Sequence, residues 1–124
     1  MLDGDPKIKG KRRQKQMEMA MMRMMAAVPE ADVVIRNPTH FAVAIKYDST
    51  KNNAPVVVAK GADHMAFRII KVAEENNVPL VENKPLARAL HDAVKLDREI
   101  PADLYAPVAE VLSFVYKLKN KTPY

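Results

Sequence analysis

Val33-Val34-Ile35-Arg36-Asn37-Pro38-Thr39-His40-Phe41-Ala42-Val43-Ala44-Ile45-Lys46 is a pair of short apolar runs joined by four turn-forming residues. In residues 32–36 the run Val33, Val34 and Ile35 is too short for a helix and is bounded by polar residues, as expected of a buried strand. In residues 40–48, Phe41, Val43, Ile45 and Tyr47 alternate with His40, Ala42, Ala44 and Lys46, the period of two that marks a second strand. The polar stretch 48–53 turns the chain, and Pro55 leads into Val56, Val57, Val58 and Ala59. That third strand is expected antiparallel to the second, with Gly61 ending it.

Downstream, Met65, Ala66, Ile69, Ile70, Val72 and Ala73 recur at helical spacing within 62–76, and Asn76 with Asn77 offers a stop. A short strand at 79–82 follows. A strand, helix, strand order of this length implies a right-handed parallel crossover, hence a mixed sheet with this helix on one face. Pro85 suits the first turn of a helix over 85–95. A last helix starts near Asp103 and buries Leu104, Val108, Val111, Leu112, Val115 and Leu118. Upstream, residues 11–27 lack Pro and Gly and are rich in good helix formers, so a long helix is expected there. Met17, Met21, Met24, Met25 and Val28 form its apolar stripe, suited to packing on the domain or a neighbour, and Pro29 ends it. The fold class is α/β: a small mixed sheet of about four strands flanked by helices and preceded by a long N-terminal linker helix.

The 124 residues fit one domain with a small core built from Val, Ile, Leu, Ala and Met, since Trp is absent and aromatics are few. The absence of Cys excludes disulfides, thiolate nucleophiles and Cys-ligated metal. No run approaches the roughly 18 apolar residues of a membrane span. The formal charge of +5 is concentrated in Lys7, Lys9, Lys11, Arg12, Arg13 and Lys15. Such a block fits nucleic acid, an anionic membrane surface or a solvated arm, and by itself reads first as the arm. No recognition motif or aromatic platform accompanies it, which leaves a nucleic-acid-binding module as an alternative far behind. No Walker loop, dinucleotide turn or zinc-protease pattern is present, and with three glycines phosphate cradles are not expected. His40, His64 and His91 lack metal-ligand spacing, so no metal and no cofactor is expected. A hydrolase of multiple turnover would need a base, nucleophile and oxyanion set that cannot be named here.

Asn37-Pro38-Thr39-His40 carries the only distinctive chemistry. As a turn it is unexceptional, because Asn and Pro are favoured at its first two positions, and from these four residues alone the plain turn is the preferred reading. A second reading starts from what proline removes. An Asn side-chain carbonyl is normally attacked by the next backbone N–H, and Pro38 has none. What remains is attack by the Asn37 side-chain nitrogen on its own backbone carbonyl, closing a succinimide and expelling the Pro38 nitrogen. A stiff bend between two strands would hold Asn37 near attack geometry and strain the amide. His40 would relay protons or orient the Asn amide, and the Thr39 hydroxyl would hydrogen-bond within the turn.

The surroundings decide between these readings. The segments DPKIKG (5–10), MMAAVPEAD (24–32), VVIRNPTHFAVAIKYD (33–48), APVVVAKG (54–61), PLARAL (85–90) and IPADLYAPVAEVL (100–112) resemble, in order and over nearly the whole chain, the cytoplasmic domain of the FlhB/YscU family of type III export switches. Residues 41–48 and 54–61 look more like its flagellar branch than its injectisome branch. The resemblance implies that Asn37 is the self-cleaving residue, Pro38 the new amino terminus, and Thr39 and His40 supporting members, with the two fragments staying associated. It implies a basic linker and Met-rich helix at 1–28 joining an absent membrane half, a self-cleaving domain at 29–118 and a polar tail at 119–124. It further implies a place on the cytoplasmic face of the bacterial inner membrane. The implied partners are other export-gate membrane proteins, a hook-length ruler protein and exported subunits. Arg36, His91 and Asp97 depart from the usual pattern.

Overall fold

A computed structural model describes residues 5–120. Helix α1 (Pro6–Ala27) starts five residues before the expected span, because Asp5 caps it and accepts from the Lys7 amide at 2.9 Å with Pro6 at the first position. A 3-10 turn at Val28–Glu30 carries Pro29 and redirects the chain into β1 (Val33–Asn37). Then come β2 (Phe41–Lys46), β3 (Val56–Ala62), α2 (His64–Glu75), β4 (Leu80–Glu82), α3 (Lys84–Ala93), a 3-10 turn at Ala102–Leu104 and α4 (Tyr105–Asn120). Pro107 lies in the first turn of α4, where no intrahelical amide is lost.

The sheet order is β3-β2-β1-β4, with β1 antiparallel to β2, β2 antiparallel to β3, and β4 parallel to β1. It is mixed, as expected. Both faces are covered, which the alternation in β2 did not reveal. One face carries Val33, Ile35, Val43, Ile45 and Val57 against Leu86, Leu90, Val108, Val111, Leu112 and Val115 of α3 and α4. On the other, Val34, Ala42, Ala44 and Ala59 meet Ala66, Ile69, Ile70 and Ala73 of α2, together with Val28. The residues alternating with the large apolar ones in β2 are therefore the small side of a buried strand, suited to close approach of a helix. A bulge between β2 and β3 makes this pattern possible. Ala44 pairs with Ala59 and Ile45 with Val57, so Val58 is extra and its neighbours point to opposite faces.

Three expectations need correction. Gly61 does not end β3, which continues through it to Ala62. Leu118 is not in the buried stripe of α4 but 52% exposed, and the helix runs to Asn120, past the frayed end expected from Lys117; residues 121–124 of the expected polar tail lie outside the described residues. The Met stripe packs mainly at its end: Met24 and Met25 rest against the α2 layer, whereas Met17 is exposed and the partly exposed Met21 reaches α2 through its sulfur, which accepts from Arg68 Nη1 at 3.7 Å.

Candidate functional site

The Asn37 to His40 segment is the loop of the β1–β2 hairpin. Asn37 pairs with Phe41 as the last rung of the ladder, and Pro38, Thr39 and His40 form the bend beyond it. The His40 amide donates to the Asn37 carbonyl oxygen at 2.6 Å, closing the four-residue turn. Proline at its second position presets the backbone there and leaves no N–H at the Asn37–Pro38 bond. Asn37 and Pro38 are half-buried, while Thr39 and His40 are exposed.

The bend is anchored on both sides. Upstream, the Arg36 carbonyl accepts from the Asn83 amide at 3.0 Å, tying β1 to the residue whose side chain caps α3. Downstream, the His40 carbonyl accepts from the Asp63 amide at 2.9 Å, and His40 Nδ1 stands 3.6 Å from Asp63 Oδ1. Asp63 has φ 51° and ψ −113°, a conformation that favours glycine. Phe41, the first residue after the bend, packs its ring against His91 of α3 with centroids 4.9 Å apart. The His91 carbonyl accepts from Lys60 Nζ at 2.9 Å, and its ring hydrogen bond holds the Asp92 carboxyl below the ordinary aspartate value.

Of the four residues singled out by sequence, the fold brings together the Asn37 carbonyl and the His40 amide. The Thr39 hydroxyl, expected to bond within the turn, has no hydrogen-bond partner among the described residues, and neither has the Asn37 side-chain amide. Arg36 adds a buried Nε without a partner. His64 and His91 sit on α2 and α3, and among the described residues no group of three or more His, Asp or Glu is placed to hold a metal ion. Asp63 went unnoticed in the sequence. Its one local signal is its place directly before a helix, and its nearness to His40 follows from the register that sets Phe41 opposite Ala62.

Residues 1–115 match the family described as FlhB HrpN YscU SpaS. The chain is 56% identical over 119 residues to the flagellar biosynthetic protein FlhB of Bacillus subtilis and 54% identical over 118 residues to that of Escherichia coli. These matches cover 96% and 95% of this chain, which spans about a third of the length of these curated relatives. The crystal structure of the cytoplasmic domain of FlhB from Shewanella putrefaciens superposes with a TM-score of 0.78 at 45% identity, covering 84% of each chain. A mutated EscU C-terminal domain superposes with a TM-score of 0.71 at 31% identity, over 73% of this chain and 90% of that one. EscU forms similar to this chain have an asparagine changed to alanine or aspartate, or the proline that follows it in sequence changed to alanine.

Proposed function

The chain belongs to the FlhB HrpN YscU SpaS family, and from that membership we propose that it works as a substrate-specificity switch of the flagellar type III export apparatus by cutting its own backbone between Asn37 and Pro38. The observation that carries the reading is the pairing of a held carbonyl with an untethered amide. The Asn37 carbonyl oxygen takes a 2.6 Å hydrogen bond from the His40 amide, while the side-chain amide of the same residue is bonded to nothing among the described residues.

The held carbonyl is the electrophile. A preorganised donor on its oxygen favours the charge that builds there during attack, a contribution worth about 2.7–4 kcal/mol in acyl-transfer enzymes. Asn37 Nδ2 attacks the Asn37 carbonyl carbon, the bond from that carbon to the Pro38 nitrogen breaks, and the proton lost by Nδ2 ends on that nitrogen. The exposed His40 imidazole carries it across. The products are a succinimide at Asn37, later opened by water, and a secondary amine at Pro38 that becomes charged by taking a further proton from solvent. Each chain reacts once and no external substrate is involved. Thr39 has no assigned step beyond completing the bend.

Cutting releases a bend and places a new amine beside a new carboxyl or succinimide, changing a surface without unpacking the sheet. That local change is what the export gate, a hook-length ruler and exported subunits would read. The domain then sits on the cytoplasmic face of the bacterial inner membrane as part of a longer integral membrane protein, with residues 1–28 as its linker. Identities of 44–56% to flagellar relatives, against 30–41% to EscU and PscU domains, support the flagellar over the injectisome branch.

Intact-mass analysis of purified protein tests the proposal. The expected result is a fragment ending at Asn37 and another starting at Pro38, with an uncut chain for Asn37→Ala and slower cutting at the same bond for His40→Ala. A wild-type chain still continuous after ageing in neutral buffer would overturn it.

A further inference from the structure

We infer that Asp63 is a positioning residue for His40 in the cleavage step; the inference rests on the reading of Asn37 as self-cleaving. Three features of Asp63 agree. Its backbone, at φ 51° and ψ −113°, lies where glycine is favoured, and a side chain there carries strain that persists only when something else holds it. It occupies the N-cap of α2, where aspartate normally accepts from the first helical amides, yet its side chain makes no capping bond. Its carboxylate stands 3.6 Å from His40 Nδ1, and its amide donates to the His40 carbonyl at 2.9 Å.

A residue chosen for the turn would be glycine, and one chosen for the cap would bond the helix. Asp63 does neither, and both its amide and its carboxylate are directed at the residue that closes the scissile bend. The backbone bond fixes where His40 sits, and the carboxylate fixes how its ring is turned, as a carboxylate orients a histidine in acyl-transfer sites. The pair is 71% and 82% exposed, so its attraction does little for stability and its loss leaves the fold standing.

The test compares chains synthesised cell-free and sampled over time by intact mass. Asp63→Asn, which keeps shape and removes charge, is expected to slow cutting at the Asn37–Pro38 bond by roughly two- to fivefold, the reach of an exposed ion pair. Asp63→Gly, which suits the backbone, is expected to slow it as much while unfolding at no lower a temperature. In the uncleavable Asn37→Ala chain, the His40 ring is expected to hold one rotamer by NMR, and to average over several once Asp63 is also replaced by Asn. Wild-type cutting rates in both Asp63 variants would overturn the inference, as would slowed cutting with an unchanged His40 rotamer; the self-cleavage reading would stand in either case. An uncut wild-type chain overturns both.

Discussion

Gly61 stands where a side chain cannot. A Cβ placed there would lie 2.4 Å from Met65 Cγ and 2.7 Å from Met65 Cβ, so the residue serves the approach of α2 to β3 and not a break in the strand. Gly61→Ala is expected to destabilise by about 1–3 kcal/mol, the usual cost of overfilling a packed site, and urea unfolding reads it directly. Met65→Ala in the same chain should recover part of the loss. The sequence showed a glycine after a valine run and suggested a stop. The clash that explains it joins residues on two elements, and nothing local announces it. The turn at Asn37 and Pro38 was legible for the opposite reason, since Asn and Pro favour its first two positions whatever lies far away; the cleavage proposed there was singled out by the resemblance of the surrounding segments.

The starts of α1 and α3 each depend on a single capping side chain. Asn83 Oδ1 accepts from the Leu86 amide at 3.2 Å, and the Asn83 amide bonds the Arg36 carbonyl, so one residue both caps α3 and braces β1 beside the bend. Asn83→Ala should cost about 1 kcal/mol in thermal or urea unfolding, the ordinary worth of such a cap. The end of α2 is equally local: Asn77 takes φ 57°, and the Val78 and Asn77 amides return to the Ala73 and Glu74 carbonyls at 2.9 and 3.3 Å. That stop could be read from paired asparagines. The early start of α1 was missed because the cap at Asp5 and the proline after it outweigh Gly10, which bounded the expected span.

Across the whole molecule, the strand ending at the bond proposed for cleavage is an inner one. β1 lies between β2 and β4, and Val33, Val34 and Ile35 are fully buried on the sheet's two faces, each contributing roughly 1.5–3 kcal/mol by burial. The edge strand β3 is itself covered, since the Val57 and Ile100 amides donate to Arg98 and Pro55 carbonyls at 3.0 and 2.9 Å. In the proposed cut only the last rung, Asn37 with Phe41, lies at the break, and the four from Val33 to Arg36 keep their partners. The two fragments should therefore elute together from size exclusion in native buffer and separate only in denaturant; fragments that part in native buffer would show that the hairpin connection, and not the packing, holds β1 in place.

Residue identity alone decided the helix and strand types, the mixed sheet and the turn at Asn37-Pro38, because periodicity, caps and turn preferences are properties of neighbours along the chain. Tertiary structure decided that both faces of the sheet are buried, that the bulge at Val58 reverses the facing of β3, and that Asp63 meets His40. These depend on register and on which helix covers which face. Register and layering arise from packing residues far apart in sequence, so no local pattern encodes them.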